Sequence, residues 1–318
     1  MQPVIYPLKR ELLLQELTKE HFMRKTNKAG NEIYVFDAHS APNLMREVGR
    51  IRELAFRGAG GGTGFEVDID EADTDSKDAY KQLIVWDPDE QEILGGYRYI
   101  LCKDVSLNAE GQPNLATSEL FHFSDEFKND YLPKTIELGR SFVHPDYQSS
   151  KRNAKSLYAL DNLWDGLGAL MIDYPEYDYF FGKVTMYTNF NQEARNMILY
   201  FMEKYFHDEK NLVVPIEGLD MNIDVKAMAE IFTGTCYNED YKILSRNVRN
   251  LKENVPPLVS AYISISPSMK TFGTSINKGF GGVEETGILI TINDIYDAKK
   301  IRHVESYQSE ISNKIDLK

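Results

Sequence analysis

Glu137 and Arg140 stand three positions apart in ELGRSFV, a stretch otherwise patterned as a buried strand. Strict alternation sets Glu137, Gly139 and Ser141 on one face and Leu138, Arg140 and Phe142 on the other. A carboxylate inside a sheet requires a partner or a task. The partner would be an arginine of a neighbouring strand, with Arg98 the candidate. The task would be proton transfer, because burial raises a carboxyl pKa toward that of a useful general base. A second group, Lys151, Arg152 and Lys155 in KRNAK, heads a helical pattern. The dipole at that end attracts anions and opposes cations, so three cations there suggest an anionic partner; a solvated helix start is the ordinary alternative.

Other candidate chemistries are excluded by spacing. The carboxylate-rich segment EVDIDEADTDSKD, 66–78, lacks the glycine and the closing glutamate of a calcium loop. The six histidines show no paired spacing, and neither Cys102 nor Cys236 has a nearby histidine to activate it. No metal site and no thiol nucleophile are expected. GAGGGTG has no strand before it and no fitting helix after it, so it does not form a dinucleotide site.

The elements that must position these residues follow from periodicity. Helical patterns cover 7–25, 42–57, 153–172 and 191–206, and two more lie in 224–253 with FTGT as the break. Strand patterns cover 32–38, 81–87, 93–103, 135–144 and 177–187, followed by 256–266 and 287–294. Residues 267–286, rich in Gly, Ser and Lys, read as a connection, and the last 20 as a polar tail or frayed helix. The order predicts one elaborated α/β (α+β) domain over 1–318, a mixed, mainly antiparallel sheet with helices on both faces. Within it, 1–40 forms an N-terminal helix and strand, 44–206 the core, 207–255 a helical insertion, 256–294 the closing strands and 295–318 the tail.

A net charge of −13 over 318 residues argues against nucleic-acid affinity, which needs a basic field. With only two cysteines, no disulfide framework is expected. Charges interrupt the apolar residues of MQPVIYPLKRELLLQEL, so no signal peptide is read there, and no run approaches a membrane span. The expectation is a cytoplasmic protein, with peripheral contact at the inner face of a membrane left open.

The succession of strand, anion-receiving turn, helix, strand YFFGKVTMY and helix resembles the core of the GCN5-related N-acyltransferase (GNAT) superfamily. That family grips a pantetheine pyrophosphate with a glycine-rich loop. HPDYQSSKRNAK has no glycine, which points away from ordinary acetyl-CoA. ELGRSFVHPDYQ, LWDGL at 163–167, YFFG at 179–182 and PPLVSAY at 256–262 resemble the bacterial hemolysin-like N-acyltransferases, among them the ornithine-lipid and glycine-lipid enzymes. Arg52 and Phe56 on a helix, Asp68, Asp70 and Asp73, Arg98 in GGYRY, and E-L-G-R are similar in order to the acyl-homoserine-lactone synthases.

The resemblance implies a GNAT-like fold. It also implies transfer of a fatty acyl group, in some cases 3-hydroxylated, from acyl carrier protein to the amine of a small amino acid of the glycine or ornithine type. Glu137, Arg140 and Ser141 would form the catalytic set, with backbone N–H groups near Gly139–Phe142 receiving the oxyanion. Arg52, Phe56, Asp70, Asp73 and Arg98 would shape the acceptor side. Phe142, Val143, Lys151, Arg152 and Lys155 would receive the donor. Phe142, Leu163, Leu167 and Phe181 would line an acyl tunnel, or simply pack the core. No cofactor is held permanently, and acyl-phosphopantetheine is a co-substrate, with acyl-CoA the lesser alternative. Two alternatives stand beside this reading: a homoserine-lactone-type synthase, in which the PPL-containing C-terminal half has no place, and an idle acyl-binding protein on the same fold.

Overall fold

The computed structural model describes residues 1–148, 158–220 and 223–308. Eight strands form its main sheet: β1 (Phe22–Lys25), β2 (Glu32–Phe36), β3 (Lys81–Asp87), β4 (Glu92–Leu101), β6 (Thr135–Val143), β7 (Tyr179–Met186), β10 (Val283–Thr291) and β9 (Lys270–Asn277), in that spatial order. Among these pairings only β6 with β7 is parallel. A parallel neighbour requires a crossover, and α4 (Ala159–Asp173) provides it. β5 (Phe121–Phe123) and β8 (Val213–Pro215) make a small ribbon of their own.

Each face of the sheet is covered differently. On one lie α1 (Arg10–Glu16), α2 (Pro42–Ala59) and α3 (Glu71–Thr74), with α2 burying Leu44, Val48, Ile51 and Ala55 against Ile84, Trp86 and Phe142. Further along that face, Phe121, Phe123 and Phe127 cover Phe181 and Leu289. On the other face α4 and α5 (Gln192–Phe206) pack over Leu83, Tyr97, Ile136 and Val184. Asn191 caps α5 by accepting from the N–H groups of Glu193 and Ala194. α6 (Val225–Ile231), α7 (Tyr237–Asn250) and α8 (Pro257–Ile263) extend the same core, and α9 (Asp297–Lys300) follows the last strand.

Several sequence expectations are corrected. The helix expected over 7–25 is only α1, and its last four residues are the edge strand β1, where Phe22 pairs with Tyr34. Pairing partners outside the segment decide that outcome, since a seven-residue helix has little stability of its own. The expected strand 256–266 is mostly helix α8. Pro256 and Pro257 open it where no N–H is needed, and Val259 and Ile263, four apart, are its buried residues. The supposed connection 267–286 contains strand β9 and the start of β10, joined by a turn in which Gly281 and Gly282 adopt φ of 77° and 72°. Gly, Ser and Thr in β9 conceal it, because an edge strand needs little apolar surface.

Candidate active site

β6 and β7 are paired only from Thr135↔Tyr179 to Glu137↔Phe181, and beyond that point they diverge. The fork is narrow at its base, where a Cβ on Gly182 would lie 2.7 Å from the Leu138 carbonyl oxygen. A cavity of about 520 Å³ opens there, lined by residues from both faces of the sheet. Phe56 and Phe280 close one side, in edge-to-face contact at 5.2 Å, and Leu163, Trp164 and Leu167 of α4 with Tyr262 of α8 close the other. Leu138 to Val143 and Phe180 to Lys183 form the two prongs.

The strand carrying the signature is bulged. Gly96 faces Phe142 but Arg98 faces Gly139, so two β6 residues, Arg140 and Ser141, oppose one on β4. Arg140 takes the left-handed conformation, φ 50°. The extra residue reverses the alternation. Leu138 packs with the α4-side core, yet Arg140 and Phe142 turn toward α2, where Glu137 also lies. The expected separation of Glu137 and Arg140 onto opposite faces is therefore overturned.

On that face the charged residues interlock. Arg52, wholly buried on α2, holds Asp68 at 3.2 Å and Asp73 at 3.1 Å. Arg98 holds Asp70 at 2.5 Å and Asp73 at 3.1 Å, and Arg140 holds Asp68 at 3.0 Å and Asp70 at 3.3 Å. The three arginines and three aspartates thus form one lattice that fastens α2 and α3 to β4 and β6. Asp70 also caps α3, accepting from the Asp73 N–H. Burial alone would raise the carboxyl pKa of Asp73, but Arg52 and Arg98 outweigh it and hold it far below the usual range. The guanidinium of Arg140 lies over the Phe280 ring at 4.1 Å.

Glu137 is held apart from this lattice. Tyr80 and Thr117 donate hydroxyl hydrogen bonds to its carboxylate, each at 2.8 Å, and Arg98 stacks on the Tyr80 ring. Burial raises its pKa, opposed by those two hydroxyls and by the positive charges of Arg98 and Lys183. The bland alternative, a direct ion pair of Glu137 with Arg98, is not what forms, because Arg98 turns to Asp70 and Asp73. Glu137 itself lies behind the cavity wall, whereas Arg140, Ser141, Phe142, Val143 and Phe56 are on it. Arg52, Asp70, Asp73 and Arg98 stand behind the wall as well, in the lattice. Leu163, Leu167, Phe142 and Phe181, named above for either an acyl tunnel or the core, line this cavity and also belong to the core clusters. Lys151, Arg152 and Lys155 lie outside the described residues.

Two further charged residues stand on the cavity wall, Lys183 of β7 and Glu285 of β10, and no sequence motif marks them. They are bonded to each other, and Glu285 also accepts from Thr185 at 3.2 Å and Asn277 at 3.0 Å. Burial would raise the Glu285 pKa, but Lys183 outweighs it and the net shift is downward. The signal for Lys183 was present in YFFGKVTMY, a lone cation inside an apolar strand; Glu285 was hidden by the misread connection.

A forked, mainly antiparallel sheet with a signature strand bulged at the fork defines an acyltransferase of the GNAT class, and a family model described as "Acetyltransferase (GNAT) domain" matches residues 51–157. Two curated relatives span nearly the whole chain. The glycine N(alpha)-acyltransferase of Bacteroides thetaiotaomicron is 54% identical, covering 96% of this chain and 91% of its own length. The glycine N(alpha)-acyltransferase of Phocaeicola vulgatus is 52% identical, covering 96% and 94%. The protein belongs to the family of these acyltransferases. The solved structure of FeeM, an N-acyl amino acid synthase from uncultured soil microbes, aligns at a TM-score of 0.43 and 9% identity over 83% of this chain and 93% of that one. Among the described residues, no helix is long and apolar enough to cross a membrane.

Proposed function

We propose that the protein transfers a long-chain fatty acyl group from acyl carrier protein to the amine of glycine, forming an N-acylglycine. The observation that carries this reading is the cavity itself. It runs through the β6/β7 fork from a charged end, with Arg140, Lys183 and Glu285, to an apolar end formed by Leu163, Trp164, Leu167, Phe180 and Ile288. A charged end suits an amino acid and an apolar end suits a fatty chain. The names of the two relatives supply glycine. The carrier-protein donor rests on the absence of glycine from HPDYQSSKRNAK and on its basic residues.

In this reading the acceptor nitrogen attacks the thioester carbonyl, the C–N bond forms, and the C–S bond breaks. The pantetheine thiolate takes up a proton and leaves as thiol. The ammonium must first lose a proton. Glu137, with its raised pKa, is the carboxylate suited to receive it, and its place behind the wall makes that a relay rather than a direct contact. Backbone N–H groups of the bulged segment Gly139–Phe142 would meet the oxyanion.

The test is incubation of pure protein with long-chain acyl carrier proteins, with and without a 3-hydroxyl, and a panel of glycine, ornithine, serine and lysine. Mass spectrometry should show N-acylglycine as the main product. A lactone product, or bound acyl chain without turnover, would overturn the reading.

A further inference from the structure

The Lys183–Glu285 pair sits where a structural ion pair is hard to explain. β10 is an interior strand, flanked by β7 and β9, and Glu285 is 2% exposed within it. Removing two charges from water costs several kcal/mol per ion, and well-packed apolar residues commonly serve a core as well or better. Unlike the arginine–aspartate lattice, this pair fastens no helix to the sheet; it joins adjacent strands already linked by backbone pairing, Gly287↔Lys183 and Glu285↔Thr185. It also faces open space, since both residues are on the cavity wall.

We infer that Lys183 and Glu285 form the acceptor site, reading the two charges of an amino-acid zwitterion. The acceptor's ammonium lies against the Glu285 carboxylate, and its carboxylate lies against the Lys183 ammonium. Arg140, whose charge reaches Glu285 from the neighbouring prong, borders the same end of the cavity. This deepens the reading above and rests on it.

The arrangement has an electrostatic logic. A zwitterion inserted into an ion pair exchanges one internal salt bridge for two and adds no net charge to a poorly solvated site. An amine without a carboxylate leaves Lys183 unpaired, and an acid without an amine leaves Glu285 unpaired. Unpaired buried charge is the costly outcome, so the pair rejects both. Thr185 and Asn277 hold Glu285 in place, as a binding group needs.

The experiment measures KM for glycine and for glycinamide, which keeps the amine but lacks the carboxylate, at saturating acyl donor. Wild type is compared with Lys183→Met and with the doubly neutral Lys183→Met/Glu285→Gln, which leaves neither partner as an orphan charge. The expected result is a rise in glycine KM of about tenfold or more in both, the scale of one charge-assisted hydrogen bond, with donor KM within about twofold. The preference for glycine over glycinamide should collapse. An unchanged glycine KM and an unchanged glycine-to-glycinamide ratio in a folded variant would show a merely structural pair. If Lys183→Met fails to fold, the double variant decides. If wild type acylates no amino acid, the function proposed above fails, and titration calorimetry with free amino acids still judges the pair. Binding lost in the double variant supports the site; equal binding in both proteins overturns it.

Discussion

Arg140 is the residue at which backbone strain and charge meet, and replacing it separates the two. Its φ of 50° costs a residue with a side chain about 1–2 kcal/mol, and glycine nothing. Its guanidinium bridges Asp68 and Asp70, but neither carboxylate is orphaned by its loss. Asp68 keeps Arg52 at 3.2 Å, and Asp70 keeps Arg98 at 2.5 Å. The cost of Arg140→Ala should therefore fall below the ~3–5 kcal/mol of a broken buried pair, at about 1–3 kcal/mol. Arg140→Gly loses the same ion pairs but sheds the strain. After roughly 0.5–1 kcal/mol for glycine's greater unfolded freedom, it should be the more stable variant by about 0.5–1 kcal/mol. At roughly 2–4 °C per kcal/mol, the alanine variant should melt about 2–12 °C below wild type and the glycine variant about 1–4 °C above the alanine one. Scanning calorimetry gives the order, and steady-state turnover shows whether the bulge matters to chemistry. Activity should follow wild type, then glycine, then alanine, because glycine keeps the bulge that shapes the fork. An alanine variant as stable as the glycine one, or both at wild-type activity, would refute the claim that the bulge positions the site.

Other outcomes follow from the same geometry. Glu137→Gln should fold but lose acyl transfer by about 10² or more, and wild-type turnover would remove Glu137 from the mechanism. Its folded pKa is raised, so its contribution to stability is full below the ordinary glutamate range and declines as pH rises through the raised value. Glu137→Gln should accordingly gain melting temperature over wild type at neutral pH, with the gain vanishing in acid; a pH-independent difference would contradict the burial argument. Leu163→Trp, which fills the apolar end of the cavity, should shift products toward shorter acyl chains by mass spectrometry, and an unchanged chain distribution would place the acyl group elsewhere. Reversing Lys151, Arg152 and Lys155 to Glu should raise KM for acyl carrier protein while sparing a small acyl-pantetheine. Equal binding of the carrier would show that the donor docks elsewhere.

Much of the architecture and several of the residues that matter could be read from the chain alone. The strands at 81–87, 93–103, 135–144 and 177–187, and the helix at 191–206, follow from strong periodicity and recur in the structure with small boundary shifts. The family resemblance rested on short motifs whose residue types are set by local chemistry, such as Glu137, Arg140 and the three aspartates. Three things lay beyond reach. A bulge is a mismatch between two strands, so nothing in ELGRSFV by itself reveals that one extra residue turns Arg140 toward Glu137's face. β9 and α8 were misread because an edge strand of Gly, Ser and Thr, and a proline-led helix of seven residues, take their stability from neighbours rather than from their own pattern. The partner of each charge was likewise undecidable. By residue type Arg98 suits Glu137 and the aspartates equally, and Lys183 and Glu285 lie 102 positions apart, joined only when β10 pairs with β7. Residue type determined what chemistry was available; long-range strand pairing decided which charges meet, because a salt bridge depends on distance in space and sequence carries that distance only within one element.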